Sequence, residues 1–567
     1  MAIPPAAFPV DKRTRRWDLW GMPASLTASV RLFAAAALAL SLTGCRETAQ
    51  RPACPAGQVC LEYGNGSDPA TLDPQQSNLV DESVVIGDLM MGLTTNAPDG
   101  STLPGMAASW AVSPDGLTWT FRLRDAVWSD GVPVTADDFV YAYRRILKPE
   151  TAAIYAYLVT ILKNGRAINE GKAAPETLGA RAVDAHTLEL RLEHPVPYLP
   201  GLAKHHSFFP VPRHVVARWG DGWSQPGRYV SNGPYRLVSW RLGDYLRVEK
   251  NPRFFDAAKV CVDRIDYYPT TDAVAAERRV ALGELDLNTS FQSSRFTRLK
   301  QTLPGFPRTH VTLATSYLSF NTRDFAPFKD IRVRRALSMA MDRDFVTAKL
   351  LRAGQLPAYA FVPPGISNYT QGPQTTWAKL SFPARQAEAR RLLAQAGFSA
   401  ARPLMFEVKA ANSPDTQLLM QAIQADWRAI GVEAKLVQNE SQIAFAAYAA
   451  RDFQVGPMSW YGDYDDPLTF LELLKSDTGA QNYGDYNNPA YDALLAQADH
   501  EADLGKRAAL LARAEQIMLN DEAVAPLYFV VNRALVNPKI TGWVDNATHT
   551  HRARWLCVKP REAGGPS

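Results

Sequence analysis

Apolar and polar residues alternate along several short segments of the chain, among them residues 119–123 and 187–192. A period of two places alternate side chains on opposite faces of a strand, so this alternation predicts half-buried β-strands. Elsewhere apolar residues recur every three or four positions, which is the period of a helix with one buried face. The predicted helices cover residues 137–147, 330–351, 415–430 and 489–519. Strands and helices mixed in this way predict an α/β architecture.

Length and charge narrow the class of protein further. The chain has 567 residues, of which 46% are apolar and 21% are charged, an ordinary balance for a globular protein. At about 150 residues per domain, this length predicts three or four structural units. The formal charge of +4 is too small for the concentrated basic surface that nucleic acids require. We therefore expect a protein of several lobes without a nucleic-acid partner.

The beginning of the chain has the pattern of a secretory signal. Basic residues precede an apolar run at 32–42, which is shorter than the roughly 20 residues that span a bilayer. The run ends in Leu42-Thr43-Gly44-Cys45, which resembles the lipobox of bacterial lipoproteins. This resemblance implies that Cys45 is lipidated and becomes the first residue after cleavage. Either Met1 or Met22 suits as the start of such a signal.

Four further cysteines follow the lipobox, an even number that suits an oxidising compartment. Cys54 and Cys60 are close enough in sequence to close a small loop, which leaves Cys261 and Cys557 as the second candidate pair. Cys261 and Cys557 both lie in segments with strand patterns, and each also suits a free buried thiol. No Cys-x-x-Cys occurs, and His205-His206 has no matching ligand cluster at metal-binding spacing. We expect no metal site and no cofactor.

The common motifs of catalysis and nucleotide binding are absent from the sequence. It contains no glycine-rich phosphate loop, no Gly-x-Ser-x-Gly and no His-Glu-x-x-His. The densest acidic group is Asp463, Asp465 and Asp466, which lies among aromatic residues. Its spacing does not suit a calcium loop. Asp465 and Asp466 suit the N-terminus of a helix that begins near Pro467 better than Asp463 does. No set of residues indicates an enzyme.

A series of longer motifs resembles one family, the substrate-binding proteins of bacterial oligopeptide ABC transporters. This is solute-binding protein family 5, of the peptide and murein-peptide-binding type. The resemblance extends from about residue 61 to the C-terminus and keeps the order and spacing of the family. The motifs are Leu72-Asp73-Pro74, Pro104-Gly105-Met106-Ala107-Ala108-Ser109-Trp110, Trp128-Ser129-Asp130-Gly131, Val134-Thr135-Ala136-Asp137-Asp138-Phe139, Asn232-Gly233-Pro234-Tyr235, Phe328-Lys329-Asp330-Ile331-Arg332-Val333-Arg334-Arg335-Ala336-Leu337 and Val531-Asn532.

The resemblance implies a two-lobe periplasmic binding protein of type II, a Venus-flytrap clamp with an extra inserted domain. Such a protein captures oligopeptides outside the cytoplasm and delivers them to an ABC permease without covalent chemistry. We expect a monomer, attached by its lipid to the periplasmic face of a bacterial membrane. The implied segments are a lipoprotein signal peptide at 1–45, a linker at 46–60, lobe I at 61–90, 213–313 and 532–567, an inserted domain at 91–212 and lobe II at 314–531.

The resemblance also implies the residues that contact the peptide. Asp463 aligns with the aspartate that binds the α-ammonium of the peptide, a charge that needs an anionic partner inside a closed cleft. Ser459 and Tyr461 align with positions that pair with the peptide main chain, and Trp460 aligns with an aromatic wall. On the opposite lobe, ligand-lining positions align with Val80, Tyr155 and His205. For those three, ordinary core packing is an equal alternative.

The sequence departs from the family at positions that contact the carboxyl end and side chains of the peptide. Thr416, Tyr448 and Pro457 stand where basic residues receive the carboxylate, and Asn78 replaces a glutamate of lobe I. Ala314 and Tyr461 replace a cysteine pair beside the cleft. We therefore expect a weaker preference for one peptide length. The added phenol predicts a bias toward small side chains at the second peptide residue.

Two alternatives to an oligopeptide receptor remain at this point. The same fold suits other cargo, such as a dipeptide, a murein peptide, an antibiotic-like peptide or a metal chelate, because fold does not fix cargo. A secreted peptide hydrolase would need a nucleophile, a base and oxyanion donors within reach of one another. No such set is visible in the sequence, which makes the hydrolase the weaker alternative.

Overall fold

The computed structural model describes residues 54–369 and 372–559. The predicted signal peptide, Cys45 and most of the predicted linker therefore lie outside the described residues. The strands are β1 Cys60–Gly64, β2 Thr94–Asn96, β3 Thr102–Pro104, β4 Ala107–Val112, β5 Thr118–Leu123, β6 Ala180–Asp184, β7 Thr187–Arg191, β8 Tyr235–Arg241, β9 Tyr245–Lys250, β10 Arg264–Tyr268, β11 Leu287–Asn288, β12 Pro307–Phe320, β13 Leu356–Pro357, β14 Leu404–Ala411, β15 Val432–Asn439, β16 Val455–Tyr461, β17 Val524–Val536, β18 Ile540–Thr541 and β19 Cys557–Val558.

The largest sheet has eleven strands, and two long strands lie at its centre. Its order is β15-β14-β16-β12-β17-β11-β1-β10-β9-β8, with β13 attached to β17. The antiparallel pair β12 and β17 thus joins β14, β15 and β16 on one side to β1 and β8–β11 on the other. The pairing register of these two strands shifts between Val311 and Thr315. A bulge at this point bends the ladder where the two halves of the sheet meet.

A separate antiparallel sheet forms between residues 107 and 191, with the order β4-β5-β7-β6. The alternation predicted at residues 119–123 and 187–192 lies in its two central strands, β5 and β7. In β5, Trp119, Phe121 and Leu123 are buried, while Arg122 on the other face is exposed. The alternation of apolar and polar residues therefore produces a sheet with one face in the core, as we expected from the sequence.

The helices alternate with the strands along the chain. They are α1 Val80–Leu89, α2 Ala136–Ile146, α3 Ala156–Val159, α4 Gly165–Asn169, α5 Leu199–Leu202, α6 Arg213–Trp219, α7 Ala273–Ala281, α8 Phe296–Thr302, α9 Ile331–Met339, α10 Arg343–Phe345, α11 Phe382–Gln395, α12 Pro414–Ala429, α13 Ser441–Ala449, α14 Leu468–Leu471, α15 Pro489–Asp499 and α16 Leu504–Asn520. A π-helical turn at Val346–Leu351 follows α10.

Two of the predicted helices are interrupted. The segment 330–351 divides into α9, α10 and the π-helical turn, because Asp342 accepts a hydrogen bond from the Phe345 amide and begins a new helix. The segment 489–519 divides into α15 and α16, and Asp503 accepts from the Lys506 amide in the same way. The predictions of single helices over these two segments were wrong. Those for 137–147 and 415–430 agree with α2 and α12 within one residue.

Several apolar cores support this arrangement. One extends under β1, β9, β10 and the four-stranded sheet and includes the fully buried Trp128 and Trp223. A second, around Trp427, packs α9, α11 and α12 against β14. In the part of the chain that the structure describes, no helix has the length and apolar character needed to cross a membrane.

A disulfide joins Cys261 to Cys557, with 5.3 Å between their Cα atoms. Cys557 begins β19, whereas Cys261 lies in the loop before β10, so the prediction of a strand at Cys261 was wrong. Cys54 and Cys60 are each disulfide-bonded as well. Cysteines of this type are expected of a protein that folds in an oxidising compartment.

Candidate functional site

A cavity of about 290 Å³ lies where β12 bulges and the two halves of the large sheet meet. The Leu313 amide and the Thr312 hydroxyl both donate to the carbonyl of Ala547, and the Gly462 amide donates to the carbonyl of Leu313. The bulged strand therefore supports two loops, one following β16 and one preceding the C-terminal end. The predicted ligand residues that line the cavity are Val80, Tyr155, His205, Tyr461 and Asp463.

Asp463 lies two residues beyond the end of β16. Its amide donates to the Thr469 hydroxyl at 3.1 Å, which fixes the loop, and its carboxylate accepts a hydrogen bond from the Tyr157 hydroxyl. Burial raises the pKa of Asp463 to about 6, although the Tyr157 hydrogen bond opposes this shift. Among the described residues, Asp463 forms no ion pair. The cavity thus contains a desolvated carboxylate without a cationic partner.

A tyrosine and a histidine, Tyr155 and His205, line the cavity together with this carboxylate. The rings of Tyr155 and His205 meet edge to face, with 4.8 Å between their centroids. Burial, aided by Asp463, raises the pKa of Tyr155 to about 12. Burial lowers the pKa of His205 well below its ordinary value, so the ring is neutral at neutral pH. Tyr155 and His205 therefore offer polar but uncharged atoms to a ligand.

Ser459, Trp460 and Tyr461 are the last three residues of β16, and all three pair with β12. Their partners on β12 are Ser316, Thr315 and Ala314, respectively. On the other edge of β16, the described ladder with β14 contains one pair, Val408 with Val455. The later residues of β16 thus present a strand edge of the kind to which an extended chain can add. Ser459 is exposed, and Ser459 and Trp460 do not line the cavity itself.

The other two acidic residues of the cluster have structural partners. Asp465 accepts hydrogen bonds from the amide and the hydroxyl of Ser367, at 2.8 and 2.5 Å. Asp466 accepts from the Leu468 amide at 2.9 Å and also pairs with Arg507 in the interior. The helix-capping interpretation therefore holds for Asp466 but was wrong for Asp465. Asp463 makes no capping contact either, and its carboxylate accepts a hydrogen bond from the Tyr157 hydroxyl instead.

Two basic residues on the cavity wall were missed by the sequence analysis. The Lys204 ammonium donates to the Gly100 carbonyl and the Arg552 guanidinium to the Ser83 carbonyl, both at 3.0 Å. Neither of these two contacts neutralises the positive charge. Burial lowers the pKa of Lys204, and the Asp465 carboxylate opposes the shift. Since only the fold brings them to the cavity, no local sequence signal identified them.

Tyr157, which donates to Asp463, was also missed. It follows Tyr155 by two residues, and the two rings lie 6.1 Å apart. The available sequence signal was its closeness to Tyr155, because both residues lie at the start of α3. Burial raises the pKa of Tyr157, and Asp463 adds to this shift. The hydroxyl therefore remains a hydrogen-bond donor throughout the physiological pH range.

The residues that the sequence analysis aligned with basic positions of the family have ordinary structural roles. Tyr448 is fully buried, and its hydroxyl donates to the Lys409 carbonyl at 2.8 Å. Thr416 contacts the Ser413 cap of α12, and Pro457 pairs with Leu318 in the sheet. Ala314 and Tyr461, which the sequence analysis aligned with a cysteine pair of the family, are direct cross-strand partners. The Tyr461 side chain is 53% exposed, so it projects toward the cavity rather than into a core.

Comparisons with known proteins agree with this architecture. Residues 102–482 match the family described as bacterial extracellular solute-binding proteins, family 5. The chain is 37% identical over 499 residues to the periplasmic oligopeptide-binding protein OppA of Salmonella typhimurium, covering 86% of this chain and 90% of the relative. It is 37% identical over 483 residues to the periplasmic murein peptide-binding protein MppA of Escherichia coli, covering 84% and 89%.

Solved structures extend the same agreement to three dimensions. The Haemophilus influenzae OppA complex with the peptide RPPGFSPFR matches with a TM-score of 0.77 and 32% identity, covering 89% of this chain and 99% of that one. The predicted α/β fold of the two-lobe binding-protein type is therefore confirmed. The matched family model covers most of the chain. The protein belongs to family 5 of the bacterial extracellular solute-binding proteins.

Proposed function

We propose that this protein is a lipid-anchored receptor that captures oligopeptides outside the cytoplasm and delivers them to an ABC permease. In this proposal, Asp463 binds the α-ammonium of the peptide. The free edge of β16 binds the peptide main chain, as an added strand would. Both groups are common to all peptides, so a receptor that uses them accepts many sequences. The relatives named for oligopeptide and murein peptide binding support this class of cargo.

The observation that carries the proposal is the unpaired carboxylate of Asp463 in the cavity. Burying a charge without a partner is unfavourable by several kcal/mol, and proteins normally avoid it. The raised pKa of Asp463 expresses this cost. A ligand ammonium placed at the carboxylate removes the cost by supplying the missing positive charge. Tyr155 and Tyr157, which lie beside the carboxylate, complete a polar wall around such a group.

The edge of β16 supports the second half of the proposal. Backbone groups along a strand edge form hydrogen bonds in register with any extended chain, whatever its side chains. Ser459 and Tyr461 occupy alternate positions of this edge, as a two-residue repeat of main-chain contacts requires. Lys204 and Arg552, also on the cavity wall, offer positive charge to the carboxyl end or to acidic side chains of the cargo.

Asp463→Asn separates this role from a structural one. We expect the variant to lose about 2–5 kcal/mol of peptide affinity by calorimetry, because the ammonium is then buried without a counter-charge. The ligand-free variant should melt no earlier than the wild type, since the substitution removes an unpaired buried charge. Asp125→Asn is the control, because its side chain is 99% exposed and lies outside the cavity. A variant that binds peptide normally but melts early would refute the proposed role.

Peptide chemistry provides an independent test of the same contact. An N-acetylated tripeptide has the same side chains and main chain as the free tripeptide but no ammonium. We expect it to bind the wild type at least about 100-fold more weakly, corresponding to about 2.7 kcal/mol. Equal affinity of the two peptides would show that Asp463 does not select the amino end.

Membrane attachment is tested through Cys45. We expect the wild type to remain in the membrane fraction through its acyl chains and Cys45→Ser to be released, because the lipidated thiol is lost. Mass spectrometry of the mature N-terminus identifies the cleavage site. If the wild type is found in the soluble fraction and carries no lipid, the proposed membrane anchor is refuted.

Cargo identity and the absence of hydrolysis are tested together. Native mass spectrometry of protein purified without refolding should show retained peptides, which liquid chromatography then identifies. A murein peptide competes with free oligopeptides in the same titration and tests that alternative directly. After incubation with a peptide library, we expect every peptide to be recovered intact. Cleavage of many peptide molecules per protein molecule would favour the hydrolase.

A further inference from the structure

Three histidines form a cluster at the edge of the same cavity and have no part in the proposed peptide contacts. His310 lies on β12, while His549 and His551 lie on the loop after β18. One ring nitrogen from each of the three lies within 4.8 Å of those from the other two. His549 and His551 also line the cavity. The cluster therefore unites a central strand of the sheet with the C-terminal loop.

Several ring nitrogens of this cluster are buried without hydrogen-bond partners. Nδ1 of His549 and Nε2 of His551 have no hydrogen-bond partner among the described residues. Neither nitrogen of His310 lies within hydrogen-bonding distance of such a partner, and the Asp545 carboxylate lies 3.6 Å from its Nδ1. Buried polar atoms are nearly always paired, because an unpaired one loses its hydration without compensation. Three such residues in contact with one another indicate a group that the protein chain does not supply.

The chemistry of the cluster suits a transition metal. Imidazole nitrogens provide the lone pairs that coordinate such metals, and one ring nitrogen from each of the three histidines converges on the same place.

The surrounding loop holds the three rings in place. The Asn546 side chain donates to the carbonyls of Pro98, Val544 and Thr550 at 3.1–3.2 Å, which fixes both ends of the loop. The Trp543 ring stacks on His551, with 3.6 Å between the ring centroids. These contacts are made within the protein chain itself and fix the orientation of the rings.

We propose that His310, His549 and His551 bind a divalent transition-metal ion of the zinc class. Tetrahedral zinc with bonds of about 2.0–2.1 Å places its nitrogens about 3.4 Å apart, so small side-chain rotations bring the present donors to that spacing. Three protein ligands leave a fourth position for water or for a donor group of the cargo. The Asp545 carboxylate, 3.6 Å from Nδ1 of His310, stands where metal sites place the residue that orients a ligand imidazole.

The test uses the full chain, purified without a polyhistidine tag and treated with a chelator. We expect one equivalent of Co²⁺ to produce the intense visible absorption of four-coordinate cobalt, and one equivalent of Zn²⁺ to remove it. Mg²⁺ should not compete, because it prefers oxygen ligands. His549→Ala and His551→Ala should each weaken Zn²⁺ binding by at least about 100-fold, since each removes one of three ligands.

Matched variants separate this cluster from the other histidines. His500→Ala removes an exposed histidine whose ring lies 6.4 Å from that of His194, and we expect it to bind Zn²⁺ as the wild type does. His310→Asn keeps a polar side chain on β12, so it reports on the metal even if an alanine variant melts early. Absence of four-coordinate Co²⁺, or loss of Zn²⁺ binding in His500→Ala alone, would overturn the proposal. Peptide binding is measured separately through Asp463, so either proposal can fail without the other.

Discussion

At the scale of single residues, the proposed function depends on one carboxylate. Asp463 is desolvated, its hydrogen-bond donor is a neutral phenol, and the described residues give it no ion pair. Its two acidic neighbours look alike in sequence, yet Asp465 binds Ser367 and Asp466 binds Arg507. The sequence indicated that this cluster mattered. The division of roles within it depends on partners that only the fold brings near.

The pKa of Asp463 predicts how peptide affinity changes with pH. Below about pH 6 the ligand-free carboxyl is protonated, so ammonium binding must displace a proton. We expect the dissociation constant to rise about tenfold per pH unit below that value. Affinity should also fall above about pH 8, where a peptide α-amino group loses its charge.

Titrations of one tripeptide from pH 4.5 to pH 9 by calorimetry check this profile. Burial lowers the pKa of His205 well below its ordinary value, so its ring is neutral at neutral pH. Asp463→Asn should lose the acidic limb of the profile and keep the alkaline one. An affinity that is constant between pH 7 and pH 4.5 would contradict the proposed ion pair.

Tyr461 predicts the size of side chain that the cavity accepts. It is the cross-strand partner of Ala314, and its half-exposed ring lines the cavity. We expect tripeptides with alanine at the second residue to bind more tightly than those with tryptophan, because the phenol occupies that space. Tyr461→Ala should reduce this difference, measured as the ratio of the two dissociation constants. Equal binding of both peptides to the wild type would refute the idea.

At the scale of elements, the strands were easier to predict than the ends of the helices. The alternation in β5 and β7 determines which face is buried, and the structure follows it. The apolar period from 489 to 519 continues across the break between α15 and α16, so periodicity alone predicted one helix. The second helix begins at the Asp503 cap, a local signal that the longer pattern concealed.

Asp503→Ala tests the importance of this cap. We expect the free energy of unfolding to fall by about 1 kcal/mol, because the Lys506 amide loses its hydrogen-bond acceptor. Peptide affinity should not change, since Asp503 does not line the cavity. Urea unfolding followed by circular dichroism provides the measurement, and Asp477→Ala, at an exposed carboxylate, provides the control. Equal midpoints for the variant and the wild type would show that the helix break does not depend on Asp503.

At the scale of the whole molecule, the cavity is built from segments that are remote in sequence. Val80, Tyr155, His205, Asp463 and His549 reach it from five different parts of the chain. The resemblance to a known family identified the first four of them, because homologous positions retain their place in the fold. The histidine cluster lies outside the motifs that carry the resemblance, and His310 is too far in sequence from His549 and His551 for spacing to indicate metal binding. Only the pairing of β12 with β17 and the course of the C-terminal loop bring them together.

The Cys261–Cys557 bridge also acts at this scale, because it joins positions 296 residues apart. Cross-linking distant positions removes conformational entropy from the unfolded chain, so Cys261→Ser with Cys557→Ser should lower stability by about 2–5 kcal/mol. Thermal melting with and without a reductant measures this loss, and the double variant should respond less to the reductant than the wild type. The control is Cys54→Ser with Cys60→Ser, since those residues lie close together in sequence and constrain little of the unfolded chain. If both double variants melt at the wild-type temperature, the tertiary contacts of the C-terminal segment, such as the hydrogen bond from the Ala553 amide to Asp88, suffice to hold it without the bridge.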